Sequence, residues 1–212
     1  MLSRGHIDVF ERTLAGERCL LRFADGGTAG VPTRRWFGFG AVTAADRELI
    51  RGCDGPTVDL GCGPGRLVDA LLAQGVSALG VDLSPAAVAV ARWRGAPALR
   101  RDLFGDIPGQ GRWRYAILAD GNIGIGGDPV RLLARVRSVL GPRGIAMVEF
   151  GMPGTGSRVG PARIETPTRI GPWFPWAHVA LDDADAIGAA AGMRRVSTTI
   201  VTGRPIARMV AA

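Results

Sequence analysis

"TVDLGCGPGR", residues 57–66, is the stretch on which the fold turns. A short apolar run ends in three glycines at alternate positions, Gly61, Gly63 and Gly65, and a helical pattern starts directly behind them. Strand, glycine turn and helix in that order open an α/β unit whose backbone approaches a nucleotide-derived ligand closely. The dinucleotide fingerprint needs Gly-x-Gly-x-x-Gly, with the third glycine letting the helix pack against the strand. Here that position is Arg66, a side chain that would crowd such packing. The phosphate loop needs a Gly-Lys pair, and this chain has no lysine.

Working outward, apolar runs alternate with helical patterns, as in strand–helix units around a parallel sheet. "TVDLG" (57–61), "SALGVDL" (77–83), "APALRRD" (96–102), "RYAILAD" (114–120) and "IAMVEF" (145–150) read as five strands. "RLVDALLAQG" reads as a helix stopped by Gly75. Ser84 before Pro85, and Asp128 before Pro129, are cap-then-proline starts for the next two helices. A Gly/Pro-rich segment over 151–181 follows, too long for an ordinary connection in a compact domain. Then come a helix capped by Asp182 or Asp183 and two runs joined by "TGR", read as an antiparallel hairpin. Residues 1–50 read as an N-terminal cap with two short helices and the aromatic stretch "RRWFGFG" (34–40). The expectation is one domain over 1–212: a three-layer Rossmann-like α/β sheet, mostly parallel, with a C-terminal antiparallel hairpin. Within it 57–150 forms the core, 151–181 an insertion over the site, and 182–212 the closing helix and hairpin.

The net charge of +7 would ordinarily suggest a polyanion partner. All 26 basic residues are arginine, however, and they are spread along the chain in ones and twos, so the charge reflects composition more than a binding patch. Nucleic acid is therefore not expected as a partner. Cys19, Cys53 and Cys62 form no Cys-x-x-Cys pair, which fits a reducing compartment, and no metal-ligand constellation stands out. Without an uninterrupted span of about 20 apolar residues, the chain reads as soluble and cytoplasmic.

"VDLGCGPGR", "GVDLS", "RRDLF" and "ILADGNIG" together resemble the successive nucleotide-binding motifs of class I S-adenosylmethionine-dependent methyltransferases, in order and spacing over residues 57–150. The resemblance implies S-adenosylmethionine as cofactor. It implies that Asp59, Gly61, Gly63 and Gly65 hold its methionine part, and that Asp82 takes the ribose hydroxyls with Leu83 beside the adenine. Asp102 would accept from the adenine amino group, with Leu103 against the ring, and Ala119 and Asp120 would close the pocket. The residue chemistry is compatible with these roles, since a carboxylate at a strand's carboxyl end can accept two vicinal hydroxyls. Asp59 and Asp102 are also open to a plainer role as caps of the turns that follow them.

The acceptor is less constrained. The motif for exocyclic amines of nucleobases is absent after the fourth strand, a catalytic lysine is excluded, and no cysteine follows Cys62. A small-molecule or natural-product acceptor, methylated at oxygen or nitrogen, is the expected substrate. The alternatives are RNA methylation, on charge alone, and S-adenosylmethionine binding without catalysis. Trp36, Phe37, Asn122, Trp173 and Trp176 are candidate acceptor contacts and His178 a candidate general base. The tryptophans could equally pin a loop to the core, Asn122 stabilise a turn, and His178 start a strand without catalytic duty.

Overall fold

The structure is a computed structural model, which describes residues 17–30 and 42–212. In chain order the elements are β1 (Leu20–Phe23), β2 (Thr28–Gly30), α1 (Ala44–Ile50), β3 (Thr57–Leu60), α2 (Arg66–Ala73), β4 (Ala78–Asp82), α3 (Pro85–Trp93) and β5 (Ala98–Arg100). They continue with β6 (Trp113–Leu118), α4 (Pro129–Val139), β7 (Leu140–Glu149), β8 (Arg158–Glu165), β9 (Phe174–His178), α5 (Ala184–Ala190), β10 (Met193–Val201) and β11 (Arg204–Ala211).

The main sheet has the order β10-β11-β7-β6-β3-β4-β5. Pairing from β5 through β7 is parallel, while β11 runs antiparallel to both β7 and β10. The hairpin expected at the C-terminus thus forms, and its second strand slots in beside the parallel core. Helices cover both faces. On β6, Tyr115 and Ile117 pack among residues of α1, α2 and α3, whereas Ala116 and Leu118 pack among residues of α4 and α5. A strand buried on both faces must be apolar throughout, which is why these segments are near-continuous apolar runs.

Local chemistry accounts for the helix starts. The Ser84 hydroxyl accepts from the Ala87 N–H at 3.1 Å, and the Asp128 carboxylate from the Arg131 N–H at 2.9 Å. α2 starts differently. Gly65 sits at φ +83° with no side-chain cap. A Cβ there would lie 2.9 Å from the Ala91 methyl of α3 and 3.1 Å from that of Ala96. Close packing at this turn therefore depends on Gly65, one residue before the position that the dinucleotide pattern reserves for glycine. Gly65→Ala combines a disfavoured φ with overpacking. It should cost on the order of 2–4 kcal/mol, read as a lower midpoint in urea denaturation.

In three places the structure adds to or corrects what the sequence suggests. The Gly/Pro-rich 151–181 segment holds two strands that were not expected: β8 and β9 lie in it and join β1 and β2 in a second, antiparallel sheet of order β2-β1-β8-β9. Proline and glycine disguise these strands, because Pro161 and Pro175 fall directly opposite each other on neighbouring strands. Within residues 1–50, the described part holds a hairpin and one short helix, α1, and the rest of that stretch lies outside the described residues. Finally, neither Asp182 nor Asp183 caps α5 with its side chain: Leu181–Asp183 form a 3-10 turn, and the Asp182 carboxylate accepts from the Gly154 N–H at 2.7 Å. Among the described residues no helix is long and apolar enough to cross a membrane.

Candidate functional site

The carboxyl ends of β3 and β4 and the loops after β5 and β6 meet at a cavity of about 390 Å³, roofed by the antiparallel sheet. It lies where the strand order of the main sheet reverses, on either side of β3, the place where open α/β sheets take ligands.

The floor is the glycine loop. Gly61 and Cys62 donate their N–H groups to the Val81 carbonyl at 2.8 and 3.1 Å, which pins the loop to β4. Gly63, at φ +53°, has open space where a Cβ would be, and so has Gly121 across the cavity at φ +83°. Both present bare backbone to a ligand. Gly61 is required for another reason: a Cβ there would come within 2.5 Å of the Asn122 amide nitrogen. That amide donates to the carbonyls of Leu60 and Gly61 at 3.0 and 2.9 Å. Asn122 therefore ties the loop after β6 to the loop after β3, a wider role than stabilising its own turn.

On the wall, the Asp82 carboxylate accepts from the Gly63 and Ser84 N–H groups, each at 2.8 Å. Burial raises its pKa, partly offset by those N–H groups. The Asp102 carboxylate accepts from the Phe104 N–H at 3.0 Å, so it caps its turn while also lining the cavity. Leu83, Leu103 and Asp120 line the same cavity. Arg135 of α4 holds the loop after β5 in shape, donating to the Leu103 carbonyl at 2.8 Å and also to that of Gly105.

Three residues implied as cofactor contacts are not on the cavity wall. Gly65 packs against α3, and Ala119 is buried beside the helices. Asp59 is only 2% exposed, and its Oδ1 has no hydrogen-bond partner. Among the acceptor candidates, Trp176 and His178 line the cavity with Asn122. Trp173 lies on the outer side, under the Arg163 guanidinium at 4.5 Å from its ring, because it precedes the strand register that brings Trp176 and His178 inward. Trp36 and Phe37 lie outside the described residues.

Beneath the floor sits an ionic network that only the tertiary structure reveals. Arg204, the first residue of β11, donates to Glu149 at 2.7 and 2.6 Å, to Asp120 at 3.0 Å and to Asp46 at 3.1 Å. Arg66 bridges Asp46 at 3.0 Å and Asp120 at 2.8 Å. The carboxylates of Asp46, Asp120 and Glu149, with the Asp59 carboxyl close by, outnumber the two guanidiniums. The surplus negative charge suits a ligand carrying a positive group. Burial, then the neighbouring Asp120, Asp82 and Asp46, push Asp59 from 3.8 to about 7 against the pull of Arg66.

A carboxyl that keeps its proton to about pH 7 when folded, but loses it near 3.8 when unfolded, binds more protons in the folded state between those values. Its contribution to stability is therefore fully present at the acid end and lost as pH rises toward 7. Asp59→Asn cannot titrate. The stability difference between variant and wild type should move in the variant's favour by roughly 2–4 kcal/mol between pH 4 and pH 8. Paired denaturation curves check this, because the shared titrations of Asp46, Asp82 and His178 cancel; a difference that stays constant with pH would refute it.

Comparisons with known proteins agree with this geometry. Residues 57–144 match the family model described as a methyltransferase domain. A release factor glutamine methyltransferase from Rhodospirillum rubrum is 36% identical over 145 residues, which cover 52% of this chain and 44% of that protein. The chain thus spans less than half the length of that curated relative. Among solved structures, a Bacteroides fragilis methyltransferase in complex with S-adenosylhomocysteine superposes with a TM-score of 0.78 at 17% identity, covering 100% of this chain and 98% of that one. A Burkholderia thailandensis 1,6-didemethyltoxoflavin-N1-methyltransferase, solved with 1,6-didemethyltoxoflavin and S-adenosylhomocysteine, has a TM-score of 0.65 at 17% identity, covering 100% and 92%. Over residues 57–144 the chain is thus similar to methyltransferase domains, and it shares its fold with solved S-adenosylmethionine-dependent methyltransferases.

Proposed function

We propose that this chain transfers a methyl group from S-adenosylmethionine to a small-molecule acceptor, at oxygen or nitrogen. The observation that carries the reading is the division of the cavity. Its floor and one wall offer bare glycine backbone and the carboxylates of Asp82 and Asp102, while its roof is built from the apolar side chains of Leu21, Phe23, Ile164, Phe174 and Trp176. The residues fit the cofactor: Gly63 and Gly121 leave space beside the backbone, and the carboxylates of Asp46, Asp120 and Glu149, which outnumber the guanidiniums of Arg66 and Arg204, favour a cationic ligand.

In this reading Asp82 takes the ribose hydroxyls, Asp102 the adenine amino group, Leu83 and Leu103 the ring faces, and Asp120 with Gly61 and Gly63 the methionine end. Asp59 and Gly65 act from beneath, one through charge and the other by setting the loop. The bound cofactor would supply an electrophilic methyl group on a sulfonium, so the protein's task is alignment and exclusion of water. The roof performs the second task, and Trp176 and His178 face the acceptor. Burial, then the charge of Arg158, lower the His178 pKa below 6.5, which keeps its imidazole neutral and able to take a proton at pH 7.

The test is formation of S-adenosylhomocysteine when the purified protein meets S-adenosylmethionine and a fractionated metabolite extract. Label appearing in the small-molecule fraction supports the reading. Label confined to protein or RNA, or no turnover with any fraction, would overturn it.

A further inference from the structure

The inner face of the antiparallel roof has a composition that selects among acceptors. Residues paired across neighbouring strands share a face, and so do alternate residues along a strand. Leu21 pairs with Ile164, and Phe23 with Ala162. Ala162 in turn pairs with Phe174, Gly160 with Trp176, and Arg158 with His178. One face therefore carries Phe23, Phe174 and Trp176, all of which line the cavity, over Ala162, which is fully buried among them. Phe174 and Trp176 stand edge to face, with ring centroids 5.9 Å apart. A slot walled by aromatic rings suits a planar ring system.

The polar groups of this face collect at one end. His178 closes the slot there, its Nε2 lying 3.2 Å from the Thr155 hydroxyl. Arg158, directly opposite on β8, stacks its guanidinium 5.3 Å from the Phe23 ring centroid and is 3.6 Å from the Asp25 carboxylate. A neutral base next to a guanidinium is an arrangement for removing a proton and stabilising the anion that remains. Among simple acceptors this matches a hydroxyl on an aromatic ring, whose anion is accessible near neutral pH, and not an aliphatic alcohol.

Resting on the methyl-transfer reading above, we propose that the acceptor is a planar phenol, its ring held between Phe23, Phe174 and Trp176 and its hydroxyl presented to His178 beside Arg158. The phenolic oxygen forms its bond to the methyl carbon as the carbon–sulfur bond breaks, with the bonding pair staying on sulfur. The hydroxyl proton passes to the His178 imidazole and from there to solvent, so the products are an aryl methyl ether, S-adenosylhomocysteine and a proton.

The experiment uses the full chain with two fused-ring phenols, naphthol and umbelliferone, and with decahydronaphthol as the saturated counterpart. Calorimetry first measures S-adenosylmethionine binding; naphthol binding to the S-adenosylhomocysteine-loaded protein and methyl ether formation by mass spectrometry follow. The proposal expects at least one phenol to bind and to be methylated, with decahydronaphthol inert. Phe174→Ala should weaken binding of that phenol by about tenfold with S-adenosylmethionine affinity kept. His178→Gln should lower kcat by about a hundredfold with phenol binding retained. If S-adenosylmethionine binds and neither phenol binds nor reacts, or if decahydronaphthol reacts equally well, this proposal falls and the methyl-transfer reading stands. If S-adenosylmethionine itself does not bind, both fall.

Discussion

Asp82→Ala is expected to weaken S-adenosylmethionine binding by on the order of a hundredfold or more. Two hydrogen bonds from ligand hydroxyls to an ionised carboxylate are each worth about 1.5–3 kcal/mol, and about 1.4 kcal/mol is a factor of ten. A second effect acts in the same direction. The Asp82 carboxylate also accepts the Gly63 and Ser84 N–H groups, so its loss frees the glycine loop and the start of α3 together. Calorimetric titration of the variant reads the change directly. Unchanged affinity would sink the assignment of this cavity to S-adenosylmethionine. Asp82→Asn separates the two effects, since the amide oxygen can still accept from one N–H while the charge is gone.

The second large effect concerns Arg204, which is 8% exposed and bonded to Glu149, Asp120 and Asp46. Breaking a buried charge network by removing one partner typically costs about 3–5 kcal/mol, because the remaining charges lose their compensation. Arg204→Ala should therefore lower stability by that order, equivalent to a fall of roughly 6–20 °C in the melting temperature for a chain of this size. Arg204→Lys should recover little of it: an ammonium cannot donate in a fork to Glu149 while also reaching Asp120 and Asp46. A melting temperature within 2 °C of wild type for Arg204→Ala would show that the network carries little stability. The consequence for the site is direct, since Asp120 lines the cavity and is held by both Arg204 and Arg66.

Arg66 shows how far a local reading reaches. Its position is enough to reject the dinucleotide pattern, and the structure bears out the physical reason, since Gly65 performs the close packing one residue earlier. What the guanidinium does instead depends on α1 and on the loop after β6, and nothing within ten residues announces that. Asp82 and Asp102 were legible because each stands at or just past the end of a short apolar strand, where the parallel sheet delivers it to the same edge. Trp173 and Trp176 could not be told apart. They differ only in strand register, which is set when β9 pairs with β8.

The glycine loop, the five parallel strands, the cap-and-proline helix starts and the closing hairpin follow from the sequence by itself, because each is specified by residues within a few positions of one another. The strands of the roof, the ionic network and the division of the cavity between a polar wall and an apolar roof were decided by tertiary structure alone. β1 and β8 are separated by most of the chain, and Pro161 and Pro175 hide the strand character of the segment that joins them. Asp46, Arg66, Asp120, Glu149 and Arg204 come from five separate segments, and only the folded sheet and the helices packed on it bring them together.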